Sequence, residues 1–150
     1  MTVGTNEFLA KALLDHIGAT TALGLAGTEI YMALHTAEPT SGGVGSIANI
    51  VSGGNYENEL LTFGDASTAS PSVMTGTSAS SATAFCTGAA LTYSATGVDH
   101  FSLHACATEG AVSVANMILC GALGGSVDLS VDDTITLTDP LISLAYINTN

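Results

Sequence analysis

At Glu29 the hydrophobic period of this chain changes from four to two. Ile30, Met32 and Leu34 then face one way and Tyr31, Ala33 and His35 the other, which predicts a strand over Glu29–Thr36. Further strand-sized runs follow at Glu59–Phe63, Ala82–Cys86, Ala89–Ser94, Val98–Ala105, Val112–Cys120, Thr134–Leu137 and Leu141–Ile147. Gly88, Gly97, Gly110, Gly124-Gly125 and Asp132-Asp133 separate them as turn material. A helix over Val112–Leu119 stays open as the alternative, with Gly110 and the β-branched residues favouring strand. Asp65–Ser81, rich in Ser, Thr and Ala, reads as a long surface excursion. Many short strands with such punctuation predict a mainly β chain, an antiparallel β-sandwich or jelly roll, and not a βαβ protein.

Before Glu29 the pattern is helical. Thr5 or Asn6 can cap a helix over Asn6–Ile17, Glu7 suits its first turn, and Gly18 offers a stop. Leu9, Leu13 and Ile17 recur at four-residue intervals, with Phe8 and Ala12 widening the apolar side. A one-sided helix of this length is not stable alone and must lie on the domain or on a neighbouring subunit. The expected organisation is therefore a helix and arm over 1–27 and a β-sandwich domain over 28–150. Phe8, Leu9, Leu13, Ile17, Leu23 and Leu25 are the expected assembly contacts.

Composition narrows the function. One lysine and no arginine stand against thirteen acidic residues, a net charge of −12, yet only 9% of residues are charged and 47% are hydrophobic. Disordered acidic segments have the opposite hydrophobicity, so this chain folds. Lys11 alone cannot displace the counterions of a nucleic acid, and anionic membranes repel the chain for the same reason. Neither is an expected partner. Met1–Leu14 lacks the basic start and unbroken apolar region of a signal peptide, and no run approaches a membrane span. Cys86, Cys106 and Cys120 are odd in number and irregularly spaced; they read as buried hydrophobes in a reducing compartment.

The most chemical-looking segment is Asp99–Cys106. In a strand, His100, Ser102, His104 and Cys106 share one face and Phe101, Leu103 and Ala105 the other. Alternate side chains on one strand stand ~6–7 Å apart and do not converge on an ion unaided, so a polar strand face or subunit contact is the better reading. No nucleophile elbow or HExxH is present, and no catalytic residue, metal or cofactor is expected. Gly42–Gly45 and Gly124-Gly125 lack the phosphate-loop pattern. Asp128, Asp132, Asp133 and Asp139 lack EF-hand spacing and read as a solvated acidic loop.

An ordered set of short motifs adds a resemblance. Tyr31–Pro39 (YMALHTAEP) resembles the ALHTA-(D/E)-P opening of a family of small tailed-bacteriophage virion proteins, with His35 and Pro39 in it. Val51–Tyr56 is similar to that family's VSGG-x-Y turn, carried by Gly53, Gly54 and Tyr56, and Leu61–Ala66 to its following VTFGxA strand. Val98–Ala105 resembles the V-T-H-F-x-L-x-D-A strand through His100 and Phe101. Asn116–Leu123 and Val131–Thr134 then resemble the GNLL-x-x-GAL region and the closing aGDT turn.

The resemblance implies a virion structural protein. A capsid decoration or cement protein is the leading expectation: a trimeric outer-surface subunit, assembled in the host cytoplasm, that clasps the major capsid protein. A tail, adaptor or fibre component with receptor or glycan binding is the alternative.

Overall fold

The structure is a computed structural model, and it describes residues 4–5, 29–39, 47, 49–63, 72–78, 84–137 and 141–144. The strands are β1 (Gly4–Thr5), β2 (Glu29–His35), β3 (Glu59–Phe63), β4 (Ser72–Ser78), β5 (Ala95–Cys106), β6 (Met117–Leu129) and β7 (Leu141–Leu144). They form a sheet in the order β1-β6-β5-β2-β3-β4-β7, with every pairing antiparallel. Two 3-10 turns, Glu109–Ala111 and Val114–Asn116, lead from β5 into β6.

The centre of the sheet is the pair that sequence alternation marks most clearly. All seven residues of β2 are in register with β5, from Glu29 opposite Cys106 to His35 opposite His100. This register stacks like with like on each face. Met32 opposes Leu103 and Leu34 opposes Phe101 on one side, while Ala33 opposes Ser102 on the other. A slip of one residue would put the histidines into the apolar face, so the register is strongly specified.

The mainly β expectation holds, and β3 and β5 fall where the sequence puts them. The described strands lie in one sheet, however; a second sheet packed on it is not among them. Non-strand segments cover the face of Met32, Leu34, Leu61 and Leu103 instead. Val51, Ala84, Phe85, Cys86, Leu91 and Tyr93 join those residues in one buried cluster with Val98 and Leu129. Each fully buried aliphatic or aromatic side chain there contributes about 1.5–3 kcal/mol.

Five expected segments come out differently. Ala82–Cys86 and Ala89–Ser94 are not strands: the described part, from Ala84, is a run of bends, with Cys86 in an isolated bridge to Tyr56. Thr134–Leu137 is not a strand; it touches the covering layer through the Ala84 N–H to the Ile135 carbonyl. The 65–81 excursion contains β4, which pairs with both β3 and β7. The segment Val112–Cys120 divides, since a 3-10 turn occupies Val114–Asn116 and β6 starts at Met117 and runs through Gly124-Gly125.

Those glycines read as turn material, and they lie in a bulge: Leu123–Ser126 stand opposite Asp99 alone, and pairing with β5 resumes at Val127. Helix Asn6–Ile17 and its contact residues Phe8, Leu9, Leu13, Ile17, Leu23 and Leu25 lie outside the described residues. Gly4 and Thr5, assigned to the arm by sequence, join the sheet edge opposite Cys120 and Leu119.

Candidate functional site

The polar face of the central pair is where the predicted histidines meet. His35 Nε2 lies 2.7 Å from Ser102 Oγ, and Ser102 Oγ lies 2.7 Å from His104 Nε2. His104 Nδ1 is 3.0 Å from both the Ser113 carbonyl and Asn116 Oδ1. Asn116 is itself held by the Ser113 N–H on its Oδ1 and by donating its Nδ2 to the Ala111 carbonyl.

Those contacts set the direction of the chain. Nδ1 of His104 faces two acceptors, so it carries the proton. The neutral ring then accepts from the Ser102 hydroxyl at Nε2, and Ser102 accepts from His35 Nε2–H. Burial drives the His104 pKa below its ordinary value, against a smaller upward pull from Asn116 and Ser113.

Nucleophile, base and orienting amide thus stand at distances that acyl-transfer chemistry uses. Access decides otherwise: Ser102, His104 and His35 are all 0% exposed, so no substrate reaches the hydroxyl in this conformation. The group works as a hydrogen-bonded ladder that satisfies polar side chains inside the sheet. His100, expected on the same face, is half-buried and sits 2.7 Å from Asp99. Cys106 is buried, and Cys120 is buried with its thiol 3.8 Å from the Pro39 carbonyl. Among the described residues no three His, Cys, Asp or Glu side chains gather in a metal-binding group.

The glycine motif builds a second constellation. Gly53 and Gly54 have φ of +104° and +53°, the left-handed region that favours glycine. They deliver Asn55 into the opposite loop. Its Nδ2 donates to the Thr87 and Ala90 carbonyls at 2.8 and 2.9 Å, and its Oδ1 accepts from the Thr92 N–H and hydroxyl at 2.8 and 3.0 Å. Next to it, the Tyr56 hydroxyl accepts from the Leu34 N–H and donates to Asn58 Oδ1. Its ring stacks on Phe85 and meets Tyr93 edge-on; burial raises its pKa. The family-motif residues are therefore structural: they clip the covering loops to β2. Phe101 packs partly buried against the same core, and Pro39 is buried.

Beside this clip lies a cavity of about 400 Å³ lined by Tyr31, Glu57, Asn58, Glu59, Leu60, Cys86 and Glu109. Sequence reasoning missed it, because Glu109 is 51 residues from Asn58 and nothing local links them. Most of its carboxylates hold backbone. Glu59 accepts from the Phe85 N–H at 3.2 Å, fixing a buried phenylalanine at φ +61°. Glu109 accepts from the Asn58 N–H at 2.8 Å. The Tyr31 hydroxyl donates to the Glu29 carboxylate at 2.5 Å, and that bond, with burial and nearby negative charge, pushes its pKa up to about 12.

No curated protein matches the chain in sequence. A family model described as podophage GP4 fiber I protein gp80 matches residues 4–144, which takes in every sheet strand and all the motifs above. The match covers nearly the whole chain, and the chain belongs to this family of phage fibre-type virion proteins.

Proposed function

We propose that the protein is a structural subunit of the phage's fibre apparatus that acts by assembly and not by catalysis. The family match over residues 4–144 carries this reading. The geometry supports it, since the groups best placed for chemistry are sealed in the sheet and the motif residues are spent on holding loops. With one lysine in the chain, its contacts with other virion proteins would rest on apolar burial, backbone hydrogen bonds or cations from the partner. Receptor or glycan contact goes with a fibre position, and a glycan array probed with the isolated protein tests that part.

The capsid-decoration reading is the second one. It places many copies, bound to the major capsid protein, over the shell. Cryo-electron microscopy of the particle separates the two. Density for this fold on the fibre or tail supports the proposal, and density spread over the capsid surface overturns it in favour of decoration.

A further inference from the structure

The cavity of about 400 Å³ beside the loop clip falls in the size range of ligand pockets, and its walls differ in chemistry. Tyr31, Leu60 and Cys86 give it an apolar side, with Tyr31 and Cys86 themselves buried. Glu57, Asn58 and Glu109 give it a polar side. Glu57 is exposed, so the cavity reaches solvent there. Contacts between separate segments hold this shape. The Glu57 N–H donates to the Phe85 carbonyl at 3.2 Å, and Glu109 reaches from its 3-10 turn to accept from the Asn58 N–H at 2.8 Å.

The two outer carboxylates have bonding capacity to spare. Glu109 spends one oxygen, Oε1, on the Asn58 N–H, and a carboxylate accepts several hydrogen bonds. Glu57 is fixed through its backbone, which leaves its side chain free of any part in holding the loop. No lysine or arginine lies among the described residues, and His104, opposite Tyr31 in the register, keeps a neutral ring. The resulting field is felt by the lining: burial, and then the charges of Glu57 and Glu59, push the Cys86 thiol up.

We propose that this recess seats an arginine side chain of a partner virion protein, its guanidinium held between Glu57 and Glu109. Charge complementarity sets the sign of the occupant, and geometry sets its size. Among the described residues no three His, Cys, Asp or Glu side chains gather to hold a metal ion, so the carboxylates suit a cation that is itself extended. A guanidinium presents five donors in a planar fork and can serve acceptors on two segments at once. It is also more weakly hydrated than an ammonium, which suits a recess with an apolar wall. Its methylene stem has Leu60, Tyr31 and Cys86 to lie against. A second copy of this chain cannot supply the group, because the sequence contains no arginine.

That the arginine belongs to a virion protein rests on the assembly reading above; the selectivity of the recess is tested on the isolated chain, so either can fail without the other. Acetyl-Gly-Arg-Gly-amide, titrated to high millimolar concentration into the ¹⁵N-labelled full chain, should give saturable NMR shifts at the Asn58, Leu60 and Cys86 amides. The Gly97 and Ser130 amides, held by Asp128 and Asp133 elsewhere on the acidic surface, should stay still. The same peptide with citrulline or lysine in place of arginine should bind more weakly. Glu57→Gln, on an exposed side chain, and Glu109→Gln, which keeps an acceptor for the Asn58 N–H, should each weaken binding about tenfold at an unchanged thermal midpoint. Absence of saturable shifts overturns the proposal, as do equal shifts at Gly97 and Ser130. Equal binding of the citrulline or lysine peptide, or wild-type affinity in Glu57→Gln, overturns it too.

Discussion

Gly54 lies so close to Thr92 that a Cβ on it would stand 2.9 Å from both the Thr92 carbonyl oxygen and its hydroxyl. The same threonine gives its N–H and hydroxyl to Asn55, so it cannot move aside without opening the loop clip. Gly54→Ala combines this clash with a left-handed backbone and should cost about 2–4 kcal/mol. Gly53→Ala meets no such contact within 4 Å and should cost less. Urea denaturation of the two variants checks the order.

Asn55→Asp keeps the shape of the clip and reverses half of its chemistry. A carboxylate cannot donate to the Thr87 and Ala90 carbonyls that the amide now serves, so two acceptors face a negative charge. A loss of about 2–4 kcal/mol is expected. Amide exchange should accelerate first in residues 87–92, before the central strands.

Acid should weaken the fold through His104. Its folded-state pKa is lowered by burial, whereas the unfolded chain takes its proton near pH ~6.5. The stabilisation is therefore complete above that pH and is lost as pH falls below it, with a slope of up to about 1.4 kcal/mol per pH unit for one proton. Comparing wild type with His104→Gln between neutral pH and the onset of carboxylate titration isolates the effect. Equal slopes in both proteins would remove His104 as the cause.

Thiol chemistry should report on folding. Cys86, Cys106 and Cys120 are free and buried, and burial raises the pKa of each. Less thiolate and less access both slow attack on a disulfide reagent. All three should react slowly with Ellman's reagent in native buffer and promptly in denaturant. One fast native thiol would show that a covering segment opens locally.

Local pattern was enough for some of this protein. Alternation placed β2, β3 and most of β5, because the side-chain period of a strand is a property of neighbouring residues. It also put Ser102 and His104 on one face, and the paired glycines of Val51–Tyr56 already signalled a turn. The arm contacts, centred on Leu9 and Leu13, fall outside the described residues and play no part in that comparison.

The rest depended on distant partners. Asn116 reaches His104 across twelve positions, His35 reaches Ser102 across sixty-seven, and Glu109 reaches Asn58 across fifty-one; no spacing rule announces such pairs. Phe85 adopts a left-handed backbone only because Glu59, Glu57 and Tyr93 hold its N–H and carbonyl, so a stretch that reads as strand becomes part of the loop layer over the sheet. The sequence by itself determined a folded, acidic, β-rich chain with a virion-type motif order, since these are sums of local preference and composition. Tertiary structure alone decided the strand order, the loops that cover the core and the sealing of His35 and His104, because each is fixed by packing between segments far apart in the chain.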